Sequence, residues 1–447
     1  MEFKNKKVLV VGLARSGLAA IKLLHHLGAN VTLTERKNIS ELEELDLLRE
    51  MNVEIVPQSD EVFERDFDLV VKNPGVSPLT PFVKRLEERK IKIITEIELG
   101  YMVSKPQHYL VITGTNGKTT STTLTYEILN KAFPGKAHLC GNVGTPLCDV
   151  VMDYDLINNE GHYLAVEISQ GQLIDIDTFT PDVAVILNLS PDHIDFMGGL
   201  DNYYHAKTLI YKNMKGNNVF LLNEDDEIVK EYTKRYPINC DIKTFSLYRD
   251  DTDCFMKDGY MYLLKEKSFP LENIKIVGIH NKRNVMIPST MAKLMGVSNE
   301  VIAQAVSEFK GVEHRIEFVR EINGVRYYND SKGTNTDATI IALNSFDRGV
   351  ILLVGGYEKG LDMECMKPHM GCVKKVIGFG AAGRRIAGDL VGDEAIIVND
   401  LVEAVNEANK YALSGDTVLL SPTTSSFDQY SCFEERGEHF KEIVNSL

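Results

Sequence analysis

The chain has 447 residues, 44% of them hydrophobic and 25% charged, which is the balance of a folded globular protein and excludes a disordered one. That length suits about three domains with cores of their own. A formal net charge of −15 argues against nucleic acid or an anionic membrane as the main partner, while leaving room for a basic pocket that takes a small anion.

The seven cysteines form no CxxC pair. The sequence therefore indicates neither a disulfide framework nor a zinc site, and the thiols read as reduced. Val8–Val11 is too short for a signal-peptide core, and no stretch approaches the ~20 apolar residues of a membrane span. A cytoplasmic protein is expected.

Three strand–glycine–helix openings organise the chain. The first runs from Lys7–Val11 through Gly12-Leu-Ala-Arg-Ser-Gly17 into a helical pattern at Leu18, Ile21, Leu24 and Leu27. Apolar runs at Val31–Leu33, Val53–Val56, Leu69–Val71 and Ile91–Ile94 alternate with helix-like segments, the pattern of a parallel α/β sheet. It pauses at Ser104-Lys105-Pro106. The second opening is Tyr109–Thr113, then Gly114-Thr-Asn-Gly-Lys118-Thr-Thr120, then a helix through Leu124, Ile128 and Leu129. Tyr163–Ile168 and Val183–Leu187 predict buried strands that end in polar residues, where such a sheet displays its ligand-binding edge. A helix is expected over Tyr203–Met214, and an irregular, strand-like stretch from about 217 to 275. Past Gly311, Ile316–Ile322 and Val325–Tyr328 flank Asn323-Gly324, a hairpin turn whose two positions favour positive φ. Val350–Val354, Val373–Phe379 and Thr417–Leu420 then alternate with helical segments. The expected fold is α/β in three domains. These are a Rossmann-like N-terminal domain (1–105), a central P-loop ATPase-type domain with a parallel sheet (106–311) and a Rossmann-like C-terminal domain (312–447).

Two of the glycine loops are candidates for phosphate. Gly12–Gly17, with Glu35 at the end of the next strand, is placed like a dinucleotide fingerprint, but Ala14 stands where bare backbone must approach a pyrophosphate. A helix N-terminus still attracts phosphate. A nucleotide diphosphate such as UDP therefore fits better than NAD, with a purely structural turn as the remaining reading. Gly114–Thr120 is sharper. Its backbone N–H groups can wrap phosphates, Lys118 can neutralise β/γ oxygens, and Thr119 can ligate Mg²⁺. Its glycines are closer together than in GxxxxGK[ST], with Ile112 at the first glycine position.

Gly114–Thr120 resembles the ATP loop of the Mur ligases and folylpolyglutamate synthetases, which join an amino acid to a carboxylate at the expense of ATP. The resemblance continues in order across essentially the whole chain. It runs through Gly141-Asn142-Val143-Gly144, Glu167-Ile168-Ser169, Asn188-Leu-Ser-Pro-Asp-His193, Ala206-Lys207, His280-Asn281-Lys-Arg-Asn284, His314-Arg315 and Asn329-Asp330-Ser331-Lys332. Lys332-Gly-Thr334-Asn335, Gly355-Gly356 followed by Lys359, and Leu420-Ser-Pro with Ser426-Phe-Asp428 and Arg436-Gly437 are similar to the D-glutamate-adding Mur ligases. One departure stands out. The family commonly reads Glu-[Leu/Ile]-Ser-Ser-Phe-Gln-Leu, whereas this chain has Glu167-Ile-Ser-Gln170-Gly171-Gln172-Leu173. A hydroxyl and a ring are missing near the expected reaction centre, and the sequence offers no physical reason.

The resemblance implies ATP-dependent joining of D-glutamate to UDP-N-acetylmuramoyl-L-alanine through an acyl phosphate, by a monomer that uses two Mg²⁺ ions. Gly114, Thr115, Asn116, Gly117, Lys118, Thr119 and Thr120 would hold ATP. Thr119 and Glu167 would ligate one Mg²⁺, His193 a second, and Asn142 would face the substrate carboxylate. Lys207 matches a carbamylated lysine of the family: CO₂ turns an ammonium, which Mg²⁺ repels, into a carboxylate-like ligand. Asn281 and Asn284 match adenine contacts, and Arg315 and Asp330 match contacts to the ATP phosphates and ribose. Arg15, Ser16, Glu35, Arg36, Asn73 and Gly75 match the UDP site, with Arg36 where a small hydroxyl is commoner. Lys332, Thr334, Lys359, Thr424, Ser426, Phe427 and Phe433 match D-glutamate positions. Three other readings stand beside this one: a folylpolyglutamate synthetase-like ligase, an NAD(P)-dependent oxidoreductase built on Gly12–Gly17, and a non-catalytic NTP-binding regulator.

Overall fold

The computed structural model describes residues 2–191 and 194–447. The chain divides into two compact units, Met1–Asn273 with Arg283–Val306, and Ile274–Lys282 with Ser307–Leu447. The chain passes between them three times: after Asn273, within the Ile279–Leu294 helix and within the Asn299–Glu308 helix.

In the first unit, β1 (Lys7–Val11), β2 (Asn30–Glu35), β3 (Glu54–Pro57), β4 (Leu69–Lys72) and β5 (Ile93–Ile94) form a parallel sheet in the order β3-β2-β1-β4-β5. Val8–Val11 are buried on both faces, which is why the run reads as continuous and not alternating. The Ala14–His26 helix buries Ala19, Ala20, Ile21, Leu23 and Leu24. A second parallel sheet joins β6 (His108–Thr113), β7 (Ala137–Gly141), β8 (Tyr163–Glu167), β9 (Val183–Ile186), β10 (Gly216–Asn223) and β11 (Cys240–Phe245), in the order β11-β10-β9-β6-β8-β7. One apolar core runs from Phe3 to Tyr232 without a break at Pro106, because Ile97 and Leu99 of the Glu96–Val103 helix pack in the same cluster as Leu147 and Val151.

The stretch from 217 to 275 is strand-rich, as expected, but regular and not irregular, and it contains a helix that was not expected. Its first half extends the central sheet through β10 and β11, with a helix, Glu227–Arg235, between them. Asp226 caps that helix by accepting from the Val229 N–H at 3.0 Å, and Val229, Tyr232 and Thr233 face inward. The second half is a three-stranded antiparallel meander, β12 (Phe255–Lys257), β13 (Tyr260–Leu263) and β14 (Glu266–Pro270). The helix expected over Tyr203–Met214 instead spans Leu200–Thr208 and tightens into a 3-10 turn, Leu209–Tyr211.

The second unit is built on a sheet ordered β15-β16-β20-β17-β18-β19. Its strands are β15 (Glu317–Ile322), β16 (Val325–Asn329), β17 (Val350–Gly355), β18 (Val373–Phe379), β19 (Ile396–Ile397) and β20 (Thr417–Leu420). β15 and β16 form the expected hairpin, with φ of 52° at Asn323 and 78° at Gly324. All other pairings in this sheet are parallel. Among the described residues no helix is long and apolar enough to cross a membrane. All seven cysteines are free thiols.

Candidate functional site

Each large sheet presents its candidate residues from loops that follow the C-terminal ends of neighbouring parallel strands, where an α/β sheet leaves its crevice. In the first sheet these are the loops after β1, β2 and β4. Gly12 has φ +86°, and a Cβ there would press on Asn73 at 3.2 Å, so the two loops meet because Gly12 is bare. The Glu35 carboxylate ties this edge together: its oxygens accept from the N–H groups of Leu13 (2.8 Å), Arg36 (2.7 Å) and Lys37 (3.3 Å). Partial burial raises its pKa, but these donors outweigh burial and hold the group below its ordinary value. Asn73 Oδ1 accepts from Gly75 N–H at 2.9 Å, while its Nδ2 is buried with no hydrogen-bond partner among the described residues. Ser16 is half-buried in the first turn of the helix, Arg36 is exposed, and Arg15 donates to the Gly144 carbonyl at 2.5 Å. A cavity of about 360 Å³ opens beside Glu35, Arg36, Lys37 and Gln58.

In the second sheet the phosphate-type loop follows β6 and leads into the Lys118–Ala132 helix. Gly114 (φ +144°) lies against Leu187, and Gly117 (φ +85°) against the buried amide of Asn284, where any Cβ would collide with Oδ1. Asn188, two residues past β9, holds the loop. Its Oδ1 accepts from Asn116 N–H at 2.8 Å, its Nδ2 donates to Asn116 O at 2.9 Å, and its own carbonyl accepts from Thr115 N–H at 3.0 Å. Thr115 Oγ1 donates to Ser190 O and accepts from Ser190 N–H and the Tyr203 hydroxyl. Lys118 Nζ folds back on Thr115 O at 2.8 Å, and Thr119 and Thr120 complete the first helical turn.

Glu167 ends β8, paired in register with Ile112 of β6, which places it one strand from the loop. It is 2% exposed. Its Oε1 accepts from Asn142 Nδ2 at 2.8 Å, and its Oε2 is buried with no hydrogen-bond partner among the described residues. Lys207 is 1% exposed, donates to Gly114 O at 3.0 Å and lies over the Tyr203 ring at 4.7 Å. Lys118, Glu167, Asn142 and Lys207 therefore gather round one loop. His193 lies outside the described residues.

In the second unit the loops after β16, β20 and β17, three adjacent strands, carry Asp330–Thr334, Thr424–Phe427 and Lys359. Asp330 is buried, and accepts from Ile316 N–H at 3.2 Å and from the Ser421 hydroxyl at 2.7 Å. Burial pushes its carboxyl up to about 7, against the pull of Ser421 and the Arg315 charge. Arg315 Nε and Ser426 Oγ are buried with no hydrogen-bond partner among the described residues. Lys332 Nζ stands over the Phe433 ring at 5.5 Å, Lys359 Nζ donates to Thr334 O at 3.3 Å, and Phe427 is 67% exposed. Asn281 is buried and donates to Val277 O at 2.6 Å.

Two residues that sequence reasoning gave no role hold these loops. Asn188 is one. The other is Arg436, whose fully buried guanidinium donates to Ser331 Oγ (3.0 Å), Ser331 O (2.9 Å), Thr424 O (3.1 Å) and Gly355 O (3.4 Å). It pins all three loops from one side, and burial brings its pKa down to about 10. Both belong to recognisable sequence motifs, but the contacts that define them join segments far apart in the chain. The close group Glu313, His314 and Glu438 is a poor cation site, because Lys441 pairs with both carboxylates.

Comparison with known proteins places these three sheets in one family. Residues 6–95 match the description "Mur ligase MurD-like, N-terminal domain", 112–292 "Mur ligase middle domain", and 314–424 "Mur ligase, glutamate ligase domain". The UDP-N-acetylmuramoylalanine--D-glutamate ligase of Geobacillus sp. (strain WCH70) is 37% identical over 452 residues, covering 100% of this chain and 98% of its own. That of Bacillus thuringiensis (strain Al Hakam) is 38% identical over 457 residues, covering 100% and 99%. The crystal structure of UDP-N-acetylmuramate-alanine ligase from Thermotoga maritima shares the fold, with a TM-score of 0.56 at 19% identity over 99% of this chain and 100% of its own. The chain belongs to the Mur ligase family, in the group of the UDP-N-acetylmuramoylalanine--D-glutamate ligases.

Proposed function

We propose that the chain joins D-glutamate to UDP-N-acetylmuramoyl-L-alanine, converting ATP to ADP and phosphate, in peptidoglycan precursor synthesis. The observation that carries this reading is Glu167: a buried carboxylate oxygen left without a hydrogen-bond partner among the described residues, one strand from a phosphate-type loop. An uncompensated buried carboxylate is costly unless a cation or proton joins it. Magnesium, a hard cation that takes oxygen ligands, fits that donor set, with Thr119 and Glu167 as ligands and Asn142 orienting the carboxylate. When bound it neutralises phosphate charge. A second ion held by His193, and carbamylated Lys207 as a further ligand, complete the reading.

The reaction needs a poor electrophile activated. A carboxylate oxygen of the L-alanyl group attacks the γ-phosphorus, the bond to ADP breaks, and an acyl phosphate forms. The D-glutamate amine then attacks the carbonyl carbon, phosphate leaves, and the nitrogen loses its proton. The loop N–H groups and Lys118 hold the phosphates in line, so catalysis is positioning plus charge neutralisation. Asn281 and Asn284 serve the adenine side, and Arg315 and Asp330 the phosphates and ribose. Arg15, Ser16, Glu35, Arg36, Asn73 and Gly75 hold the UDP moiety. Lys332 and Lys359 neutralise the D-glutamate carboxylates, Thr334, Thr424 and Ser426 supply polar contacts, and Phe427 and Phe433 cover it. The functional domains are 1–105 for the UDP-substrate, 106–311 for ATP and 312–447 for the amino acid, in a cytoplasmic monomer.

The test of the reading is product formation followed by mass spectrometry, with and without bicarbonate. Glutamyl product that falls on CO₂ depletion and returns with bicarbonate supports both ligation and carbamylation of Lys207. Product formed by a native Lys207→Ala enzyme regardless of bicarbonate refutes the lysine assignment.

A further inference from the structure

At Gly171 the departure from the family pattern coincides with a close backbone contact. Gly171 is buried, and a Cβ built there would lie 2.5 Å from the Pro74 carbonyl oxygen, whereas real Cβ atoms essentially never come within 3.0 Å. Pro74 lies between Asn73 and Gly75, the two residues of the β4 loop that belong to the UDP side of the site. Gly171 lies in the short Gln170–Leu173 helix, which starts three residues after Glu167. This helix is held by its own capping box, in which Gln172 Oε1 accepts from Ser169 N–H at 2.9 Å. It cannot yield easily.

The same loop is docked at two further points. Lys72, 1% exposed, pairs with Asp175 at 3.1 Å and donates to Val76 O at 3.0 Å, so one buried ammonium both closes the loop and ties it to the segment after Gly171. Ser77 Oγ donates to Phe196 O at 2.8 Å. The β4 loop is therefore mounted on the edge that carries Glu167 and Ser169, at a separation that a side chain at 171 would forbid.

We infer that Gly171, with the Lys72–Asp175 pair, is a positioning device that seats the Asn73-Pro74-Gly75 loop against the Glu167 edge and so sets where the UDP-substrate presents its carboxylate. The device rests on the functional reading above. Phe at 171, the residue the family commonly carries, would displace this loop in this chain.

The experiment uses the full-length enzyme and begins with wild-type turnover of UDP-N-acetylmuramoyl-L-alanine, ATP and D-glutamate. Absence of turnover refutes the functional reading itself. With turnover established, Gly171→Ala raises the KM for the UDP-substrate about tenfold, and Gly171→Phe raises it further, as expected for a displaced substrate loop. The KM for Mg·ATP and the affinity for Mg·ADP stay within about twofold, because the phosphate loop lies outside the contact. Lys72→Met/Asp175→Leu removes the ion pair without leaving a buried charge. It gives the same split by a route that does not touch residue 171, and so stands if the glycine variants fail to fold. An unchanged KM for the UDP-substrate in the folded variants, or a parallel loss of nucleotide and UDP-substrate binding, overturns the inference.

Discussion

Asn188→Ala separates the scaffold of the phosphate loop from the loop's own residues. The wild-type amide makes two hydrogen bonds to the Asn116 backbone, at 2.8 and 2.9 Å, in a half-buried position. Alanine removes both and keeps the bond from Thr115 N–H to the residue 188 carbonyl, so the loop stays attached at one point. At about 1 kcal/mol net for each hydrogen bond, the loop's organised conformation loses about 2 kcal/mol, which is about a 30-fold weaker affinity for Mg·ADP. Asn188→Asp keeps the acceptor for Asn116 N–H but turns an oxygen toward Asn116 O and adds negative charge beside the phosphates. Its loss is larger than that of alanine at low salt and shrinks as salt screens the charge. Isothermal titration with Mg·ADP, and with UDP as the control ligand, reads both effects. Nucleotide affinity within about twofold of wild type, or equal losses for Mg·ADP and UDP, refutes the clamp.

Asn142→Leu removes the amide that orients Glu167, and the apparent affinity for Mg²⁺ falls about 10- to 100-fold in activity titrations; an unchanged Mg²⁺ midpoint contradicts this role. The Asp330 carboxyl, raised by burial from 3.8 to about 7, keeps its proton in the unliganded fold where the unfolded chain has lost it, so its contribution to stability falls as pH rises from about 4 to about 7. Asp330→Asn removes that slope; denaturant midpoints with parallel pH dependence in variant and wild type argue against it. Arg436→Lys keeps the charge but cannot span Ser331, Thr424 and Gly355 together, and it lowers the stability of the second unit by about 3 kcal/mol in chemical denaturation. A change below about 0.5 kcal/mol means the guanidinium is not the anchor described.

The strand–glycine–helix openings were legible because their signals are local. Lys7–Val11 and Tyr109–Thr113 are apolar runs long enough for a strand, each closed by a glycine that the turn requires at positive φ. The Glu227–Arg235 helix was not read, although Asp226 and the spacing of Val229, Tyr232 and Thr233 announce it, because charged residues between them hide the stripe. Asn142, Glu167, Lys207 and the Gly114–Thr120 loop, which belong to separate motifs, lie close together. The reasons for Asn188, Arg436 and Gly171 were out of reach, since each depends on a contact between segments far apart in the chain: Asn116 for the first, Ser331 and Gly355 for the second, Pro74 for the third. A motif names such residues. Only the meeting of strand ends gives them work.

The most direct test is phosphate release from Mg·ATP in the presence of UDP-N-acetylmuramoyl-L-alanine, with D-glutamate, L-glutamate or L-lysine added separately. Release that requires both the UDP-substrate and D-glutamate is the predicted result. Release with L-lysine in place of D-glutamate, or no release with any amino acid by an enzyme that binds Mg·ADP, contradicts the proposed reaction.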